Sequence, residues 1–154
     1  MTSPDTTSHP AAPPRPAALV GWRLFALLYD FFPVLGLWFA TGAVAMLVHG
    51  GEPIYGDTLA GWLELCALWL VTGLYATLSW RRGGQTLGMR PWRLHLAARD
   101  GGEPSWSQLW TRYAVGTLSL LLGGVGFWWA WIDREKLTWH DRASRTRLVR
   151  MPKQ

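Results

Sequence analysis

Two long apolar runs dominate the pattern of hydrophobic and polar positions along the chain. The first, Trp22–Val48, extends over about 27 residues, and the second, Thr58–Trp80, extends over about 23 residues. A helix needs roughly 20 apolar residues to cross the hydrocarbon core of a bilayer, which is longer than most helices buried in soluble proteins. Each run therefore predicts one membrane-spanning helix.

A third apolar segment, Leu109–Ile132, is interrupted by the glycine-rich sequence Gly123–Gly126. Its start resembles a helix N-terminus, with Ser105 as the cap and Gln108 three residues later. The segment either crosses once or turns back as a hairpin or re-entrant loop, which is tolerated where protein covers the backbone. The tail Asp133–Gln154 has seven Lys and Arg against three acids, which predicts a cytoplasmic location. A single third crossing would place this tail outside, so the hairpin is favoured.

Two short segments outside the apolar runs alternate apolar and polar residues, as half-buried strands do. They are Trp92–Leu96 and Thr146–Arg150, and we expect them to pair beneath the bilayer. The predicted fold class is therefore all-α. We expect an integral membrane bundle with two full spans, a third segment broken by glycines, and a small cytoplasmic cap that contains the two-stranded pairing.

The charge distribution predicts the orientation and the domain organisation. Arg81–Glu103 carries five arginines against two acids, whereas His49–Asp57 has no Lys or Arg, so the former is expected in the cytoplasm. Both chain ends are then cytoplasmic, and the protein lies in the inner (plasma) membrane. We predict a disordered Pro-rich tail at 1–18, a transmembrane domain at 19–150 and a C-terminal tail at 151–154.

The net charge of +5 does not indicate nucleic-acid binding in a chain that is 49% hydrophobic. In a membrane protein, excess Lys and Arg set the orientation and attract anionic lipid, so the predicted partner is the bilayer. His140-Asp141 suggests a catalytic or metal pair, but adjacent helical residues do not face each other and no second histidine follows at ligand spacing. We expect no catalytic residue, metal site, cofactor or enzyme activity.

Charged residues also lie inside the predicted spans, where they are costly and usually face the bundle interior. At a rise of about 1.5 Å per residue, Asp30 lies about 12 Å beyond Trp22, and Glu64 lies about 9 Å from the first end of its span. Arg112 lies about 10 Å into the third segment. Because Asp30 and Arg112 have similar depths from the cytoplasmic side, we expect them to form a neutralising pair.

Two polar motifs accompany the spans. Gly84-Gln85-Thr86-Leu87-Gly88 follows the second span and lacks the lysine of a phosphate loop, so its glycines indicate a tight turn. Gln85 and Thr86 would cap that turn or contact His140 and Asp141. His140-Asp141-Arg142, followed by Thr146, lies near the end of the chain.

Together with the charged residues of the spans, these motifs resemble the RDD family of small multi-pass bacterial membrane proteins. That family is named for an arginine and two aspartates, and the resemblance assigns those positions to Arg23, Asp30 and Asp141. Arg112 resembles an arginine often found in the family. The resemblance extends from Ala18 to Arg150, and it implies a molecular function that is mostly unassigned, with a suggested role in the transport of ions or small ligands.

Two functions are consistent with these residues. In a transport or ion-coupled component, Asp30 would bind a proton or small cation and Arg112 or Arg23 would move in response. Glu64 would be the next residue on the ion path. In a non-catalytic scaffold or assembly partner, the same groups would be structural. Because so few spans leave little room for an aqueous path, transport would require a homo-oligomer or another membrane protein. Small residues that would allow close helix contact are Gly36, Thr41, Gly42 and Gly73.

Overall fold

A computed structural model of the chain describes residues 18–152. The predicted disordered tail at 1–18 therefore lies outside the described residues except for Ala18, and the C-terminal tail is described only at Met151 and Pro152. The described chain is mostly helical, with one small sheet. Its elements in chain order are α1 (Val20–Val48), α2 (Leu59–Gly83), β1 (Leu94–Ala98), α3 (Trp106–Leu121), α4 (Val125–Ile132), α5 (Trp139–Ser144) and β2 (Thr146–Arg150).

The two longest helices, α1 and α2, are each long and apolar enough to cross a membrane, as their sequences predict. Thr58 caps the start of α2, because its hydroxyl accepts the Gly61 N–H at 3.2 Å. Gly84 ends α2 in the left-handed conformation that glycine adopts at least cost. The helices run antiparallel, since Trp38 Nε1 donates to Thr72 Oγ1 at 2.8 Å while Asp30, nearer the start of α1, contacts Tyr75.

The third apolar segment is divided into α3 and α4, whose axes differ in direction by 99°. The break falls at Gly123 and Gly124, which both have positive φ. As predicted, Ser105 and Gln108 form a capping box at the start of α3. If the bent pair counted as one span, the described chain would have up to three helical segments that could cross a membrane.

The two strands pair antiparallel, with Leu94 opposite Arg150 and Ala98 opposite Thr146. This pairing confirms the predicted contact between the two alternating segments, but the first strand begins two residues later than predicted. Arg93 has a left-handed φ of 54°, which interrupts the extended backbone, and the Trp92 ring packs against Trp22 of α1 at 5.0 Å between centroids. The sheet brings the end of the described chain back to the segment that precedes α3.

Most of the buried core lies at one end of the bundle, where α1 begins, α2 ends and α3 begins. We call this the capped end, because α5 and the β1–β2 sheet cover it. Leu94 and Leu109 are fully buried there and pack with Ala26 and Met89. Along the rest of α1 most apolar side chains are exposed, as lipid-facing residues are in a bundle of this kind.

Gly73 of α2 packs within the chain, because a Cβ there would lie 2.6 Å from the Trp110 ring and 2.7 Å from the Tyr113 ring of α3. Gly73 thus allows close helix contact, and within the described chain the helix that it contacts is α3.

Candidate functional site

Two charged clusters occupy the capped end, and the first is centred on Asp141. Arg23 Nη2 donates to Asp141 Oδ2 at 2.7 Å, and Arg112 Nη1 donates to Asp141 Oδ1 at 2.5 Å. Asp141 is 0% exposed and each arginine is 5% exposed. The carboxylate therefore joins α1, α3 and α5 through two charge-assisted hydrogen bonds. We call these three residues the arginine clamp.

Short side chains of the C-terminal segment complete the hydrogen bonding of the clamp. Thr138 and Asp141 form a capping box at the start of α5, with the Thr138 N–H donating to Asp141 Oδ2 at 3.1 Å. Arg112 Nη1 also donates to Thr146 Oγ1 at 2.9 Å, and Arg23 Nη1 donates to Thr138 Oγ1 at 3.3 Å. Asp141 of the predicted motif and Thr146 therefore both bind Arg112.

The clamp fixes the ionisation of two residues on α5, which is not one of the apolar spans. Burial opposes ionisation of Asp141, but the guanidinium groups of Arg112 and Arg23 outweigh it and hold the pKa of Asp141 well below its usual range. Burial and the charge of Arg112 lower the pKa of His140 well below its usual value, so the ring is neutral. Because arginine can only donate, His140 Nε2 accepts from Arg23 Nη1 at 3.4 Å.

The second cluster surrounds Asp30, which is half-buried and bonded by neutral donors. Tyr75 of α2 donates from its hydroxyl to Asp30 Oδ1 at 2.6 Å, and Thr86 donates to Asp30 Oδ2 at 2.5 Å. The Gly88 N–H donates to Asp30 Oδ1 at 2.8 Å. Among residues 18–152, Asp30 forms no ion pair with any Lys, Arg or His. We call this group of four residues the Asp30 site.

The glycines of the Gly84–Gly88 motif allow the loop to reach this carboxylate. A Cβ on Gly88 would lie 2.1 Å from the Ala26 carbonyl oxygen and 2.8 Å from Asp30 Cγ. Gln85 turns the other way, and its Nε2 donates to the Leu94 carbonyl at 2.7 Å. The motif therefore closes the α2–β1 turn, as predicted, but Thr86 contacts Asp30 rather than His140 or Asp141.

The predicted Asp30–Arg112 pair is wrong. Arg112 binds Asp141 instead, because α5 packs beside α3 and brings a second carboxylate to it. Rise along a helix axis cannot by itself identify a partner, because it does not give the direction that a side chain faces. The structure thus separates the positions of the resemblance into the arginine clamp with its α5 and β2 neighbours, and the Asp30 site with its loop.

Glu64 belongs to neither cluster. It lies half-buried on α2 toward the opposite end of the bundle, where its Oε1 is 3.5 Å from the position that a Cβ on Gly42 would occupy. Within the described residues it has no hydrogen-bond partner or ion pair.

Tyr75 and Thr138 were not singled out from the sequence. In sequence, Tyr75 looks like any aromatic residue of a spanning helix. A buried Tyr hydroxyl usually finds a hydrogen-bond partner, and Asp30 in the other long apolar run was the available candidate. Thr138 with Asp141 three residues later matches the capping-box pattern with Asp in place of Glu, which the sequence does show. Within residues 18–152, no group of three or more His, Cys, Asp or Glu side chains is arranged to hold a metal ion.

The two apolar helices and the charged clusters at one end of the bundle define a small helical membrane protein. The RDD family model matches residues 17–145, which is most of the chain, and the chain therefore belongs to the RDD family. The resemblance seen in the sequence is thereby confirmed. No curated protein and no solved structure matches the chain.

Proposed function

We propose that this protein conducts a proton or a small monovalent cation across the membrane, and that the Asp30 carboxylate is the group that binds the ion. The observation that carries the proposal is the difference between the two clusters. Two arginines neutralise Asp141, whereas among residues 18–152 only neutral donors bond to Asp30. Its negative charge is therefore available to a mobile ion.

The groups around Asp30 suit such an ion. The Tyr75 and Thr86 hydroxyls are donors in the described arrangement, but each oxygen also carries lone pairs that can turn toward a cation. Carboxylate and hydroxyl oxygens are hard ligands that prefer hard cations. If Asp30 took up a proton, a neighbouring hydroxyl would also have to turn. The new O–H of the acid donates, so it needs a hydroxyl oxygen that accepts.

The arginine clamp is a structural element in this proposal. Its carboxylate is fully buried and bonded to two guanidinium groups, which favour its ionised form. Removing one member of such a cluster leaves an uncompensated buried charge. The clamp therefore holds α1, α3 and α5 in position around the mobile ion and does not itself exchange ions.

The same proposal includes a topology and an assembly. We infer that α1 and α2 each cross the inner membrane once, and that the α3–α4 pair enters and leaves from the capped end. The arginines of 81–103 favour a cytoplasmic location for that end. Two crossings leave little room for an aqueous path, so we infer that the active form is a homo-oligomer. Ion conduction of this kind requires no cofactor and makes no covalent bond, so we do not expect enzyme activity.

Flux through reconstituted liposomes tests the proposal. The purified protein is inserted into liposomes that contain a pH-sensitive dye, and a Na⁺, K⁺ or pH gradient is applied. We expect Asp30→Asn to reduce the flux to that of protein-free liposomes and Glu64→Gln to slow it. Glu52→Gln, an exposed acid in the α1–α2 connection, is the matched control and should conduct like the wild type. Undiminished flux in a folded Asp30→Asn protein would remove the proposal.

A further inference from the structure

We propose that a cavity at the capped end binds the phosphate group of an anionic phospholipid. The cavity has a volume of about 570 Å³ and lies where the start of α1 meets the β1–β2 sheet. Its walls are formed chiefly by Trp22, Trp92, Arg93 and Arg150. It is separate from both the arginine clamp and the Asp30 site.

Two arginines reach this cavity from neighbouring strands. Arg93 directly precedes β1, and Arg150 ends β2 opposite Leu94. A backbone hydrogen bond from the Met151 N–H to the Arg93 carbonyl, at 2.9 Å, holds the two segments together. Within residues 18–152 neither arginine forms an ion pair, although five other arginines do. The cavity therefore concentrates positive charge that the described chain does not neutralise.

An aromatic ring orients one of these charges. The Arg150 guanidinium lies 4.3 Å from the centroid of the Trp22 ring, within the range of a cation–π contact. A guanidinium stacked in this way keeps its N–H groups free at the edge, in the planar arrangement that matches phosphate oxygens. Arg93 is half-buried and lines the same cavity, so a phosphate bound there would have two guanidinium groups available.

The aromatic wall continues onto the apolar surface of α1. Trp92 contacts Phe25 at 5.2 Å and Tyr29 at 5.8 Å between ring centroids. Phe25, Leu28, Tyr29 and Phe32 recur at helical spacing, and each is about half exposed or more. A ligand whose phosphate lies in the cavity therefore has an apolar stripe for its acyl chains. This continuity favours a phospholipid over a free phosphate ion.

The position in the bundle supports the same ligand. Tryptophan, tyrosine and arginine at the end of a spanning helix lie at the depth of lipid head groups. Each Lys or Arg near an anionic bilayer contributes about 1 kcal/mol of attraction, which corresponds to about fivefold in affinity.

Lipid titration of the full-length protein tests the inference. Delipidated protein in mild detergent is titrated with phosphatidylglycerol or phosphatidylcholine, and bound lipid is counted by native mass spectrometry. We expect phosphatidylglycerol to bind more tightly, and the Arg93→Ala/Arg150→Ala double variant to lose about 25-fold in its affinity. Arg150→Lys, which keeps the charge but loses the planar group, should fall between. Arg147→Ala, an exposed arginine of β2 that does not line the cavity, is the matched control and should bind like the wild type.

Three results would overturn the inference. Equal affinity for the two lipids would exclude recognition of an anionic head group, and this comparison needs no variant. A loss in Arg147→Ala as large as in the double variant would indicate general surface charge. Displacement of the lipid by glycerol phosphate at equal concentration would assign the cavity to a soluble anion.

Discussion

Arg112 of α3 and Asp141 of α5, which are 29 residues apart in sequence, meet at 2.5 Å in the fully buried centre of the capped end. Arg23 binds the other oxygen of the same carboxylate. The consequence for function is indirect: because Asp141 takes both arginines, Asp30 is left with neutral donors. Asp141 is thus buried and held by two guanidinium groups, whereas Asp30 is half-buried and held by hydroxyl and amide donors.

Removing the charge of Asp141 should unfold the capped end. In Asp141→Asn, two buried guanidinium groups lose their common partner, and a broken buried pair typically costs about 3–5 kcal/mol. We expect a large fall in the midpoint of thermal unfolding in detergent. Glu103→Gln is the control, because Glu103 pairs with Arg81 at 3.2 Å but is 81% exposed, and exposed pairs contribute little. A wild-type midpoint in Asp141→Asn would show that the clamp is not structural.

Thr86→Val should loosen the loop that closes over Asp30. The hydroxyl bonds an ionised group and is buried with its residue at 4% exposure, so its loss should cost about 1.5–3 kcal/mol. Hydrogen exchange of the Leu87 and Gly88 amides, measured by mass spectrometry, should rise. Thr41→Val is a matched control, because its hydroxyl donates to the Leu37 carbonyl of its own helix at 2.8 Å. Equal exchange in the two variants would argue against a Thr86–Asp30 bond.

Gly88→Ala should destabilise the same loop by a different route. The added Cβ would overlap the Ala26 carbonyl oxygen, which is backbone and cannot rotate away, and overpacking of this kind costs about 1–3 kcal/mol. Gly83→Ala, five positions earlier at the end of α2, meets no atom within 4 Å and should be neutral or slightly stabilising. Thermal unfolding of the two variants in parallel measures the difference. If both behave alike, the close approach of the loop to α1 is not real.

The neutral His140 predicts a pH dependence with a definite sign. Its pKa is lowered in the folded protein, so below about pH 6.5 the unfolded chain binds a proton that the folded chain does not. Stability should therefore fall as the pH drops from 7 toward 5, with a slope of up to about 1.4 kcal/mol per pH unit. The lowered pKa of Asp141 acts in the same direction, but below about pH 4, where free carboxyls protonate.

Replacing the ring separates this effect from others. His140→Gln should flatten the slope between pH 7 and 5, whereas His49→Gln, an exposed residue at the opposite end of the bundle, should leave it unchanged. Guanidine or thermal midpoints at a series of pH values provide the measurement. An unchanged slope in His140→Gln would mean that another group titrates.

The sequence predicts those elements whose physical cause is local. α1 and α2 follow from the length of their apolar runs, and α3 starts at Ser105 because the capping pattern is written in adjacent residues. The break at Gly123–Gly124 and the pairing of β2 with β1 also follow from short patterns. The first strand is displaced from its predicted position because Trp92 packs against Trp22, which is a contact between distant segments.

The partners of the buried charges could not be predicted for the same reason. Rise per residue gives only a distance along a helix, and that distance suggested a pairing of Asp30 with Arg112 that the structure does not have. It does not give the direction that a side chain faces within the bundle, and it cannot show that α5 returns to contact α3. Tyr75 illustrates the limit further, because its hydroxyl has a specific partner that appears only when α1 and α2 are packed together.

A double-mutant cycle tests most directly the claim that the arginines bind Asp141 and leave Asp30 to a mobile ion. Unfolding free energies are measured for Arg112→Met, Asp141→Asn, Asp30→Asn and the two double variants that contain Arg112→Met. We predict a coupling energy of about 2 kcal/mol or more between Arg112 and Asp141, and of no more than about 0.5 kcal/mol between Arg112 and Asp30. Strong coupling of Arg112 to Asp30, with little coupling to Asp141, would contradict the account.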